Sequence, residues 1–362
     1  MKKYKLISLI LSILLVFGVL VSCAKQRTAM EYEGYRVTTN MYSYWLSQIK
    51  SGYVSSSNDT EAYWNTQYSD GGTYAEKMRE IVDFNVKVNL VCMSLFEKMG
   101  LKITAEEKNK IDTAIDDLLM SYGSKSELNS MLANFGINVD ILRDIYNVDL
   151  MASKVYDALY ADGGARVIDD EKLDEFYKEN YSRIDIIFVY NSFEYKKDAD
   201  GNLIFNQTTE TYEKIELNAE QKENKKALAE SIYGRAQSGE DFNELKKQYN
   251  EYPDGEKYEL GYFISANDID SFDSDIYLAV SQMEIGDVKK IEKDGAVCII
   301  KRNELTEKTY VDSNYKDMFA NIVDYCQEAD FNLYMSELVK DVTAYEEELA
   351  GFSVVNAPLM GY

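Results

Sequence analysis

The sequence predicts an α+β protein in which a discontinuous, mostly helical domain carries one inserted α/β domain. Three features predict it. Apolar residues recur at three- and four-residue steps through much of residues 74–180. A short β-branched run, "RIDIIFVY", opens a stretch of strands and helices at Arg183. From Asp312 to Leu349 the chain returns to helical spacing without a glycine or proline. A helix that long needs a partner face, and the N-terminal helices are the partner assigned to it. The boundaries read from the sequence are 1–22, 23–180, 181–308 with a hairpin insertion near 191–210, 309–350, and a tail at 351–362.

The chain starts with Lys2, Lys3 and Lys5 and then an uncharged apolar run that ends in "LVSC", Leu20 to Cys23. A basic start and an apolar stretch too short to span comfortably read as an export signal. "LVSC" resembles the lipobox of bacterial lipoproteins, in which cleavage falls before a diacylated cysteine. The resemblance implies lipidation at Cys23 and a place on the extracytoplasmic face of the cell membrane, since two acyl chains anchor stably. An uncleaved anchor is the competing reading of the same residues.

The elements follow in order. "MEYEGYRVTTNMYSYWLSQI" is strand-like, with turn residues at Glu33-Gly34 and Thr39-Asn40, and a helix can start after it. Residues 51–74 read as a long polar loop. From Tyr74 to Met99 the positions Ile81, Phe84, Val88, Val91, Leu95 and Met99 mark an amphipathic helix stopped by Gly100. Thr104 and Glu107 form a capping-box signal for the next helix. Helical segments at 124–136 and 138–161 follow, then one that begins behind Asp169 and Asp170. In the inserted domain, Asp200-Gly201 suggests a hairpin turn, residues 219–239 a helix, and 287–303 the closing strands.

Composition excludes several functions. There is no histidine in the chain, which removes Ser-His-Asp catalysis and histidine-bearing zinc sites. A formal net charge of -24, more negative still once the three lysines of the leader are lost, repels nucleic acid. No metal site is expected: the acidic stretch from Asp268 to Asp275 lacks the central glycine and closing glutamate of a calcium loop. No cofactor is expected either. Beyond the anchor, Cys92, Cys298 and Cys326 lie in apolar contexts and read as packed thiols, with one disulfide among them as the competitor. The 30 tyrosines, dense before Tyr74, read as ordinary packing or as an amphipathic surface for unfolded clients.

Four stretches carry a family likeness: Asp241-Phe242, "ELGYFI" from Glu259, "MEIGDV" from Met283, and "GAVCIIK" from Gly295 to Lys301. Together they resemble the parvulin-type peptidyl-prolyl isomerase domain. "EYEGYRVTTNMYSYWL", "FEKMGLKITAEE" and "VIDDEKLDEFYKENY" are similar to the N-terminal domain of PrsA and SurA foldases. With the lipobox, the order of parts resembles a PrsA-like foldase lipoprotein over nearly the whole mature chain. This implies a SurA-like helical chaperone domain with a parvulin-like domain inserted, and unfolded or nascent secreted proteins as partners. A homodimer is left open.

The resemblance also shows what is missing. Parvulins place two histidines back to back in the sheet, and here those positions fall on Asp185 and Cys298. The polar residue many parvulins hold near the prolyl peptide maps to Glu251 or Tyr252. Phe263, Phe272, Met283 and Tyr262 are the residues expected to line a peptide pocket. A carboxylate and a thiol do not rebuild a histidine pair, since one is charged and the other a weak donor. The expectation is an anchored foldase or chaperone whose parvulin-like domain has weak or no isomerase activity. An active isomerase and a structural or solute-binding lipoprotein are the alternatives. Cys298 is expected to pack, because no histidine is present to generate its thiolate.

Overall fold

The structure is a computed structural model that describes residues 27–361, apart from 70, 254, 256, 269–273 and 294. The chain forms two units, Met1–Val167 with Asp330–Tyr362, and Ile168–Ala329. The fold is α+β, with the second unit inserted in the first. The observed division differs from the boundaries read from sequence: the helix Asp170–Asn180 and residues 309–329 belong with the inserted unit. The cause is aromatic packing, because Phe176 and Tyr177 share a buried cluster with Phe263, Tyr315 and Phe319.

In the first unit, β1 (Thr28–Tyr32) turns through Glu33 and Gly34 into β2 (Tyr35–Thr38). Thr38 then caps the helix Thr39–Tyr53. The helix Tyr74–Lys98 starts from a capping box of Thr73 and Glu76, and the helix Ala105–Tyr122 from one of Thr104 and Glu107. Of the positions expected to face inward on Tyr74–Lys98, Val91 is buried; the rest of the buried stripe is Met78, Val82, Val86, Leu90 and Cys92. Ile81, Phe84, Val88 and Leu95 are only half-buried. The helix is apolar on two sides, and its main packing partner is the helix Val139–Tyr160.

Lys50 closes this unit from inside. Its side chain is fully buried; the ammonium pairs with Asp59 at 2.9 Å and donates to the carbonyl oxygens of Val355 at 3.3 Å and Ala357 at 2.7 Å. Asp59 also accepts from Trp64 Nε1 at 2.6 Å. The polar 51–74 stretch and the C-terminal tail are thereby fastened to one buried charge. Tyr63 stacks on Tyr74 at 5.1 Å, so part of the tyrosine-rich segment packs on itself.

In the inserted unit, β3 (Tyr181–Tyr190) leads into an arm of short ribbons, β4 (Phe193–Tyr195), β5 (Phe205–Asn206), β6 (Thr211–Tyr212) and β7 (Lys214–Glu216). β4 pairs with β7 and β5 with β6. The helices Ala219–Gln237 and Phe242–Tyr249 follow, then β8 (Tyr262–Ser265), the helix Ser274–Ser281, β9 (Val288–Lys293) and β10 (Ala296–Asn303). The main sheet is antiparallel, in the order β8-β3-β10-β9.

Residues alternate across this sheet. Ile187, Val189, Val297 and Ile299 pack on the helices Ala219–Gln237 and Phe242–Tyr249. Ile184, Ile186, Cys298 and Ile300 face the opposite way, toward Ile276 and Val280 of Ser274–Ser281.

The C-terminal stretch is not one helix. Its helix runs only from Ile322 to Leu338, and β11 (Thr343–Ala344) then pairs with Met30 and Glu31 of β1. Absence of glycine and proline permits a long helix but does not compel it when a distant strand offers pairing. Among the described residues no helix is long and apolar enough to cross a membrane. Cys23 lies outside the described residues.

Candidate peptide-binding site

The two positions assigned to the missing histidines do not meet. Asp185 stands opposite Lys301 in the β3/β10 register, while Cys298 stands opposite Phe188. The offset is odd, so their side chains leave opposite faces of the sheet.

Each is occupied by structure. Asp185 is 7% exposed. It pairs with Lys246 of the helix Phe242–Tyr249 at 2.6 Å and accepts from Asn303 Nδ2 at 2.9 Å. Gly261 approaches closely with φ +84°, and a Cβ there would collide with the Ile184 carbonyl oxygen. The glycine of "ELGYFI" thus lets β8 reach β3 beside Asp185.

Cys298 is 2% exposed among Ile186, Ile264, Met283 and Ile300. Cys92 and Cys326 are buried as well, and no disulfide joins the three. Burial pushes the Cys92 thiol up to about 12.

The structure brings Tyr262 and Met283 to the Cys298 face, where Met283 is buried and Tyr262 lies at the margin. Phe263, the next residue on β8, points the other way and packs on Tyr315 and Phe319. Alternation along the strand separates it from Tyr262. Phe272 lies outside the described residues. The acidic stretch is described only in part, and within it Asp275 pairs with Lys293 at 3.2 Å.

Glu251 and Tyr252 have distinct places. The N–H of Glu251 donates to the Phe188 carbonyl at 2.9 Å, and its carboxylate accepts from the N–H of Tyr190 at 2.7 Å. Asn250 Oδ1 accepts from the N–H of Phe188 at 2.9 Å, and Lys225 pairs with Glu251. Together these groups close the edge of β3 beyond the point where β8 ends. Tyr252 instead lies over Phe188, ring centroids 5.3 Å apart, and is 37% exposed.

From Phe188 an aromatic run continues into the arm. Tyr190 lies 4.5 Å from Phe193 and 5.3 Å from Tyr195, and Tyr195 lies 5.9 Å from Tyr212. Lys214 sits 4.1 Å above the Phe193 ring. Burial keeps the Tyr190 hydroxyl protonated well beyond the usual tyrosine range.

Tyr190, Tyr195, Tyr249, Tyr252, Pro253 and Leu260 line a groove of about 1430 Å³ that does not include Cys298, Met283 or Tyr262. The groove can hold an extended chain on ring faces and polar tips. Its charged lining includes Asp185 with Lys246 and Glu251 with Lys225, each already tied to its partner in an ion pair. Of the residues singled out in the sequence, Asp185, Glu251 and Tyr252 line it; for Tyr190 and Tyr195 the only signal is the aromatic spacing of residues 188–195.

The chain is similar to solved structures of foldases and chaperones. PrsA from Bacillus subtilis is 17% identical, with 81% of this chain and 93% of that chain covered and a TM-score of 0.23. PrsA from Streptococcus pneumoniae is 16% identical, with 79% and 97% covered and a TM-score of 0.23. A SurA-like chaperone of Campylobacter jejuni is 11% identical, with 88% and 98% covered and a TM-score of 0.27. No family model and no curated protein matches the chain. At these identities and scores the neighbours are PrsA- and SurA-like, and no activity transfers from them.

Proposed function

We propose that this chain is a lipid-anchored, extracytoplasmic foldase-type chaperone that holds unfolded secreted polypeptides, and that its parvulin-like unit binds peptide with weak or no isomerase activity. The observation that carries the reading is that Phe188, an apolar ring, stands opposite Cys298 in the sheet, while Asp185 lies on the other face. Prolyl isomerisation has to lower a barrier of about 18–20 kcal/mol, and a charged residue locked to Lys246 and a thiol sealed among isoleucines supply no paired proton network for it. What remains is a groove of tyrosines among charged side chains, suited to binding. The anchor rests on "LVSC" at Leu20–Cys23 and the basic, apolar leader before it.

Two assays test the reading. The soluble chain starting after Cys23 should suppress light scattering by an aggregating, unfolded secreted client at near-stoichiometric ratio. Full-length protein should fractionate with membranes and take up labelled palmitate, and Cys23→Ser should abolish the uptake. Absence of any suppression sinks the chaperone reading; uptake unchanged by Cys23→Ser sinks the anchor.

A further inference from the structure

Three helices of the first unit meet around a cavity of about 200 Å³ that nothing above accounts for. Trp45, Gln48 and Ile49 come from Thr39–Tyr53, Asn85, Val86 and Asn89 from Tyr74–Lys98, and Asp149 from Val139–Tyr160. The lining contains one carboxylate and three amides and no basic residue.

Two polar groups meet in it. Trp45 is 3% exposed, and its indole N–H has no acceptor in hydrogen-bond geometry among the described residues. The N–H lies near Asp149, whose carboxyl burial raises to about 6 with the indole restraining the rise. No ion pair to Asp149 occurs among the described residues, so a half-buried carboxyl faces the cavity with the Trp45 indole N–H beside it and without a counter-charge. Asn85 donates its amide N–H to the Ile81 carbonyl at 2.8 Å, which leaves its Oδ1 as the group it can offer. Partial burial of a carboxyl without a cation carries a desolvation cost. Such groups mark binding sites more often than packing.

The complement of this lining is a primary ammonium on an alkyl stem. Its three N–H donors match the Asp149 carboxylate and the amide oxygens, and its methylenes match Ile49, Val86 and the indole face. The volume is that of roughly six or seven waters, enough for one such side chain. Resting on the chaperone reading above, we infer that this cavity binds the ε-ammonium of a lysine in an unfolded client. The strongly acidic chain, with net charge -24, favours the approach of such segments.

The chain has two tryptophans, so isotope-labelled soluble protein gives two indole N–H signals, and Trp64→Phe identifies that of Trp45. The probes are a short glycine-serine peptide carrying one lysine, the same peptide Nε-acetylated, and n-butylamine. The lysine peptide should shift the Trp45 signal saturably while Trp64 stays still; acetylation should abolish the shift, and Asp149→Asn should weaken binding by about tenfold or more. If Asp149→Asn fails to fold, Asn89→Leu tests the same lining and should weaken binding as well. A still Trp45 signal, equal shifts with the acetylated peptide, or binding unchanged in the variants overturns the inference. Binding of n-butylamine without the peptide overturns it in favour of a free amine. Aggregation suppression measured beside these titrations separates the two claims: suppression without a Trp45 shift removes the lysine site alone, and a shift without suppression removes the chaperone reading alone.

Discussion

Asp185 and Cys298 occupy adjacent strands of one sheet, yet three residues of register put their side chains on opposite faces, one against Lys246 and the other against Met283. Each side chain is thereby a piece of the framework. Testable consequences follow from each piece.

Asp185 and Lys246 form a nearly buried pair, with side chains 10% and 12% exposed. Removing one partner strands the other charge, so Asp185→Ala should lower stability by about 3–5 kcal/mol. The double replacement Asp185→Leu with Lys246→Met should recover most of that loss. Urea denaturation followed by circular dichroism checks both.

Cys298 should resist a thiol reagent at neutral pH in the folded soluble chain, as should Cys92 and Cys326, because all three are buried. Denaturation should expose three reactive thiols at once. Rapid labelling of Cys298 before unfolding would show that the face around Met283 opens.

Lys50 holds the tail through the Val355 and Ala357 carbonyls. Lys50→Met removes these bonds and leaves Asp59 without its cation, at a cost of about 3 kcal/mol. Carboxypeptidase should then release residues of the 351–361 tail much faster than from the wild type.

Asp149 gives a pH dependence of defined sign. Its carboxyl titrates near 6 in the folded chain against an ordinary value of 3.8, so between these values the native state holds a proton that the unfolded chain has released. Stability therefore falls as pH rises through that window, by about 2–3 kcal/mol, and is level above it. Asp149→Asn should flatten the fall and be more stable than the wild type at neutral pH. Thermal melts of both proteins across the window measure the difference.

The parts of the fold legible in the sequence are those set by neighbours in the chain. Thr104 and Glu107, the stop at Gly100 and the Glu33-Gly34 turn each depend on local hydrogen bonds or backbone freedom, and all appear where the residues place them. Distance in sequence hides the rest. The pairing of Met30 with Ala344 cuts short a helix that local spacing allows, and the burial of Val82 and Val86 rather than Ile81 and Val88 depends on packing partners distant in the chain. In the site, strand alternation separates Phe263 from Tyr262 once the register is known. The tie of Asn250 and Glu251 to the edge of β3 leaves no mark in sequence, because any polar loop could supply it.

The proposed reading is that the inserted unit binds peptide with weak or no isomerase activity. It is tested most directly by cis/trans isomerisation of a proline peptide in the presence of the soluble chain starting after Cys23, run beside suppression of client aggregation. The account predicts a rate at or close to the uncatalysed one with suppression retained. Clear acceleration that disappears on changing Tyr252 or Met283 would contradict it and make this an isomerase that works without histidine.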